Sequence, residues 1–305
     1  VSARRAGKST SYLAGCAGYG RDGKFVKPTE FGVTCDVDYP GFLAFEGGPA
    51  PIATVDTVSC VPLVRREWTE GDLTNVSSGC GFEQPLEAAL KALAPHNSEI
   101  SFTHGEGHGD RENAGFLRDN SLLVVVVVTD EDDCSTTDYG IFDPQNEQNR
   151  QNGINVACHL SEDKLFDVER YVDSLKNLRP DNDNVIFTVI AGVQKEMTQE
   201  DYRAQYDLTT DAGAKMYYDD MLASDVLQVH TTEFAPMQQR IAPSCTTAGS
   251  SGPSLEATPP RRLLEVAKGF GARSVVGSLC DSEFGSTAGN LIRAIGEQLA
   301  AAGND

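Results

Sequence analysis

Apolar and polar positions divide the chain into stretches of different texture. Residues 1–79 hold four short apolar patches among Gly, Pro, Thr and Asp, with no sustained helical period, which predicts loops and short strands. At Pro85 the pattern changes. Proline suits a first helical turn, and Leu86, Ala89, Leu90 and Leu93 fall on one face, which predicts a helix. Residues 95–115 follow as a polar, Gly-containing loop. The unbroken run LLVVVVV at 122–128 then predicts a strand buried on both faces, as in the centre of a parallel sheet.

Beyond an Asp-rich loop, Leu165, Val168, Tyr171, Val172, Leu175 and Leu178 recur at helical spacing and stop before Pro180. A second strand is predicted at Val185–Ala191, so the order strand, loop, helix, strand reads as a βαβ crossover. Residues 194–258 read as a long insertion of helix and loop that decorates the core. A final unit comprises a helix near 260–270, a strand at 274–279 and a helix at 285–301. The predicted fold class is α/β, a mostly parallel sheet flanked by helices in one domain spanning 1–305. Its parts are a loop-rich segment to 79, a core at 80–193, the insertion, and a last unit from 259.

Composition narrows the partners. The 25 basic and 45 acidic residues leave a net charge of −20, which argues against nucleic acid or an anionic membrane surface. A protein or cell-surface ligand, or a cation, fits better. The longest apolar run has seven residues, far short of the roughly 18 needed to cross a bilayer.

Eight cysteines, Cys16, Cys35, Cys60, Cys80, Cys134, Cys158, Cys245 and Cys280, are dispersed with no CxxC pair, which excludes a zinc-ribbon or thioredoxin-type reading. An even, scattered set in an acidic, loop-rich chain predicts disulfides and an extracytoplasmic location: secreted, periplasmic or anchored at the outer surface. Neighbour pairing, 16 with 35, 60 with 80, 134 with 158 and 245 with 280, is the expectation, and eight buried thiols are the alternative.

Candidate chemistry is sparse. AGKST at 6–10 lacks the glycine that a phosphate-binding loop requires, because Ser2 stands in its place. HGEGHGD at 104–110 alternates His104, Glu106, His108 and Asp110, which a folded-back loop could gather around a zinc or copper ion, and zinc there is the basis of a hydrolase reading. Such alternation more often marks a solvated loop. No GxSxG elbow is present, and no enzyme is expected. Trp68 reads as a core cap or an exposed anchor. The densest feature is TDEDDCS at 129–135, directly after the first buried strand, where crowded hard oxygens favour Mg²⁺ or Ca²⁺. Asp130, first after the strand, is the best-placed ligand. Asp132, Asp133 and Ser78 stand as neighbours, and a solvated acidic loop beside Cys134 is the competing reading.

GCGFEQPLEAAL at 79–90, GFLR at 115–118, the strand running into TDEDDCS, and the closing SLCD resemble secreted or lipid-anchored von Willebrand factor A-like proteins of Gram-negative bacteria, myxobacteria among them. The resemblance is strong over 79–135 and looser over 160–195 and 258–301. It implies a Rossmann-like sheet, a metal-ion-dependent adhesion site at the strand carboxyl ends, and no catalysis. Asp130 matches the Asp of that site's third loop. Cys80 or Gly81 stands where the family places a Thr, leaving Ser77 and Ser78 as hydroxyls, and no DxSxS occurs. Val1 and Ser2 align with the tail of the family's second strand, so the first strand and the DxSxS loop are expected to be missing upstream. The implied function is an adhesion module with a partial divalent-ion site. A structural subunit of a surface assembly that needs no metal is the alternative.

Overall fold

The computed structural model describes residues 22–25, 82–247, 255–281 and 285–302. Ser77, Ser78, Trp68, the AGKST segment, Cys16, Cys35, Cys60 and Cys80 lie outside these residues, as do the loops and strands expected over most of 1–79.

Helix α1, Pro85–Leu93, opens on its proline and buries Leu86, Leu90 and Leu93 of the predicted face, with Ala89 half-buried, and it also buries Glu87, Ala88, Lys91 and Ala92 off that face. Strand β1, Leu123–Val128, follows. Helix α2, Val168–Lys176, buries Tyr171 and Leu175 and leads into strand β2, Val185–Ala191. β1 and β2 pair in parallel from Leu123 opposite Val185 to Val128 opposite Ile190, so the crossover expected from the sequence is present. Leu165 and Leu178 fall outside α2, in an isolated bridge to Thr136 and in the following turn.

The insertion contains more regular structure than its pattern suggests. Helix α3, Asp211–Ala223, is capped by Thr210, whose hydroxyl accepts from the Gly213 amide at 3.1 Å. Strands β3, Thr231–Ala235, and β4, Gln238–Ile241, form an exposed hairpin, while β5, Cys245–Thr247, pairs antiparallel with β6, Leu255–Ala257. Helix α4, Arg261–Phe270, strand β7, Ser274–Ser278, and helix α5, Gly285–Ala302, complete the order. β7 joins the other edge of β2, again in parallel, so the sheet of the described residues runs β1-β2-β7.

Two expectations need correction. β2, not β1, is the strand with both faces covered. Val126 and Val128 of β1 are 45% and 40% exposed, whereas β2 is buried along nearly its whole length. A β-branched run fixes strand character but not which strand is central, because edge and centre share the same propensity. α3 is also more than decoration. Tyr217, Tyr218, Met221 and Leu222 enter the main core beside Phe187 and Phe270, with tyrosine bodies buried in a helix whose composition reads as polar.

Two disulfides are described, Cys134–Cys158 and Cys245–Cys280, matching the neighbour pairing at both places. The first joins the loop after β1 to a segment preceding α2 and sits in a small satellite core with Phe82, Ile141, Phe142 and Ala157. The second ties the start of β5 to the residues just after β7. No helix among the described residues is long and apolar enough to cross a membrane.

Candidate functional site

The acidic loop and the two helices it caps

β1 delivers residues 129–135 to the carboxyl end of the sheet, and the N-termini of α1 and α4 converge on them. Neither helix has a local cap: Gln84 precedes α1 and Pro260 precedes α4, and neither side chain accepts from the helix. The amides of a first turn then need acceptors from elsewhere.

The loop supplies them. Asp133 Oδ1 accepts from the Leu86 amide at 3.1 Å, and Ser135 Oγ accepts from the Glu87 amide at 3.3 Å, which caps α1. Asp132 Oδ2 accepts from the Arg262 amide at 3.0 Å and Oδ1 from the Leu263 amide at 3.3 Å, which caps α4. Each carboxylate also lies at the positive end of a helix dipole.

Asp133 is the more deeply set, with a side chain that is fully inaccessible. The Ser135 hydroxyl donates to Oδ1 at 2.7 Å, the Ser135 amide donates to Oδ2 at 3.1 Å, and the Arg262 guanidinium lies 3.4 Å from Oδ2. Burial pushes the Asp133 carboxyl upward, while Arg262, Ser135 and the Leu86 amide pull it back. Burial pushes Asp132 to about 6, against the pull of the Arg262 and Asp133 amides and the Arg262 charge.

A further layer lies behind the caps. Glu87 of α1 receives Arg170 at 3.0 Å and the Tyr171 hydroxyl at 3.0 Å, and Arg170 stacks 4.3 Å over the Phe166 ring. Arg262 also donates to the Phe166 carbonyl at 2.6 Å. Glu87, Arg170 and Arg262 were not visible as partners in the sequence. The available signal was negative: Gln84 and Pro260 are poor caps for two well-formed helices, which implies acceptors brought from a distance.

Asp130 differs from its neighbours. It is exposed, and the fold engages its main-chain oxygen, which accepts from the Thr258 amide at 2.8 Å and the Thr258 hydroxyl at 3.3 Å. The fit of this loop to a divalent ion is therefore uneven. Both oxygens of Asp132 and of Asp133 already face donors, so these two residues do not fit an ion shell, and Asp130 remains as the outward carboxylate of the three.

The HGEGHGD loop and the comparisons

HGEGHGD holds the C-terminal end of α1. The His108 amide donates to the Lys91 carbonyl and the Gly109 amide to the Ala94 carbonyl, both at 2.9 Å. A Cβ on Gly107 or Gly109 would run into the carbonyls of Ala94 or Leu93, so these two glycines are explained by close backbone approach to a helix end. The ligand-type side chains diverge: Asp110 pairs with His96 at 2.7 Å, whereas His108 turns inward between Asp22 and Glu112. Among the described residues, no three His, Cys, Asp or Glu side chains are placed to hold a metal ion. No family model, curated protein or solved structure matches this chain.

Proposed function

We propose that this chain is an extracytoplasmic, non-catalytic binding module of von Willebrand factor A type that meets a protein or cell-surface ligand at the carboxyl edge of its sheet, with Asp130 as the contact residue. The observation that carries the reading is the division of labour in the strand-end loop. Asp132 and Asp133 are engaged by helix amides, while Asp130, two and three residues before them, is exposed. The parallel β1-β2-β7 sheet supports a ligand edge at this end, since α/β sheets take ligands beyond the carboxyl ends of their strands. The two disulfides support an oxidising location. A divalent ion, Mg²⁺ or Ca²⁺, would rest on Asp130 and on oxygens supplied from outside this loop.

A second reading, a rigid structural subunit with no use for metal, is favoured by the same caps, because they turn two of the loop's four carboxylates to holding helices. Calorimetric titration of Mg²⁺, Mn²⁺ and Ca²⁺ into the chain and into Asp130→Ala separates the two. Saturable heat that the variant lacks is the expected result. Heat unchanged by the substitution overturns the role of Asp130, and no heat with either protein leaves the structural reading.

A further inference from the structure

Residues 22–25 are held against the end of α1 and the HGEGHGD loop by a set of polar contacts centred on one buried histidine. Asn113 organises the backbone: its Oδ1 accepts from the Phe25 amide at 2.9 Å, and its Nδ2 donates to the Gly23 carbonyl at 3.0 Å and the Ala92 carbonyl at 2.9 Å. The Phe25 ring meets Phe116 edge-on with centroids 5.0 Å apart. Charge then closes the contact. Lys24 pairs with Glu112 at 2.9 Å, and the ammonium of Lys91 meets both Asp22 and the His104 carbonyl.

His108, with a side chain 9% exposed, joins the two carboxylates. Its Nδ1 lies 2.7 Å from Glu112 Oε2 and its Nε2 lies 3.2 Å from Asp22 Oδ2. A carboxylate only accepts, so both contacts are hydrogen bonds only when each ring nitrogen carries a hydrogen. The imidazolium carries two such hydrogens and the neutral ring carries one. A neutral ring that kept the shorter bond to Glu112 would turn a lone pair toward Asp22.

We infer that His108 is a pH-sensitive latch on residues 22–25: in acid the imidazolium bridges Asp22 to Glu112 and fixes the segment, and at higher pH the Asp22 contact is lost and the segment opens more often. The groups facing the ring are Asp22 on the segment, Glu112 on its own loop, and the cations of Lys91 on α1 and Lys24, each already paired with one of those carboxylates. Hydrogen bonds from Lys24 and His108 hold Glu112 down at about 2, so that partner stays ionised across the range in which histidines ordinarily titrate. The sign follows. Both ring contacts are hydrogen bonds only with the imidazolium, so closure is strongest in acid and weakens where the ring is neutral.

The Phe25 amide reports the latch directly, because its acceptor lies on the other side of the contact. Hydrogen exchange on the full chain, corrected for intrinsic rates, should show Phe25 protection falling about tenfold between pH 5.5 and pH 8, the scale of one charge-assisted hydrogen bond. The amides of β2 should keep their protection, which separates local opening from global unfolding. In His108→Gln, and separately in Asp22→Asn, Phe25 protection should be low and nearly flat with pH. If wild-type protection at Phe25 does not change with pH, or if the same change persists in either variant, the latch is wrong. Should His108→Gln fail to fold, the wild-type and Asp22→Asn profiles decide the matter.

Discussion

Replacing Asp133 by alanine is expected to cost about 3–5 kcal/mol, because it leaves the Arg262 charge partly buried without its partner and uncaps α1 in the same step. Against a total stability of roughly 5–15 kcal/mol, that is a large fraction. The thermal midpoint should drop by on the order of 10 °C. The two contributions can be separated. Adding Arg262→Met removes the orphaned charge but leaves α1 uncapped, so the double variant should recover part of the loss. Full additivity would mean that the ion pair contributes nothing, and that Asp133 acts through the Leu86 amide and Ser135 alone. A midpoint within a degree of wild type for Asp133→Ala would show that the loop does not hold α1.

The second large effect is expected from the disulfide between Cys134 and Cys158. Its ends are 24 residues apart, and a cross-link of that span constrains the unfolded chain by about 3–4 kcal/mol in the chain-entropy picture. Its position adds to this. Cys134 immediately follows Asp133, and its amide donates to the Glu83 carbonyl at 2.8 Å, so the bond anchors the cap as well as the satellite core. In Cys134→Ala/Cys158→Ala, limited proteolysis should begin within residues 139–164, a stretch of short helical turns with little core of its own, before the sheet unfolds. Loss of protection spread evenly over the chain would argue that the disulfide acts globally.

Much of the sheet architecture could be read from periodicity. Leu86, Leu90 and Leu93 specify α1, Tyr171 and Leu175 specify α2, and the short β-branched apolar runs specify β1 and β2 as strands without saying which is central. The neighbour pairing of Cys134 with Cys158 and Cys245 with Cys280 was legible for a different reason, since chain proximity favours short loops. Tertiary chemistry was not legible. The contact from Asp133 to Leu86 crosses 47 positions and that from Asp132 to Arg262 crosses 130, so no local motif carries either. A run of aspartates looks the same whether its oxygens meet an ion, water or helix amides. The HGEGHGD loop was ambiguous in the same way, because glycines that permit close approach to a carbonyl resemble glycines in a solvated turn.

The claim on which the proposed function rests is that Asp130 serves the surface while Asp132 and Asp133 serve the fold. Thermal unfolding of Asp130→Ala beside Asp133→Ala tests it most directly. The division predicts that Asp130→Ala stays within about 0.5 kcal/mol of wild type, as expected for an exposed carboxylate, while Asp133→Ala loses several times that. A loss in Asp130→Ala as large as in Asp133→Ala would mean that the whole loop is structural, and it would contradict the assignment of Asp130 as the contact residue.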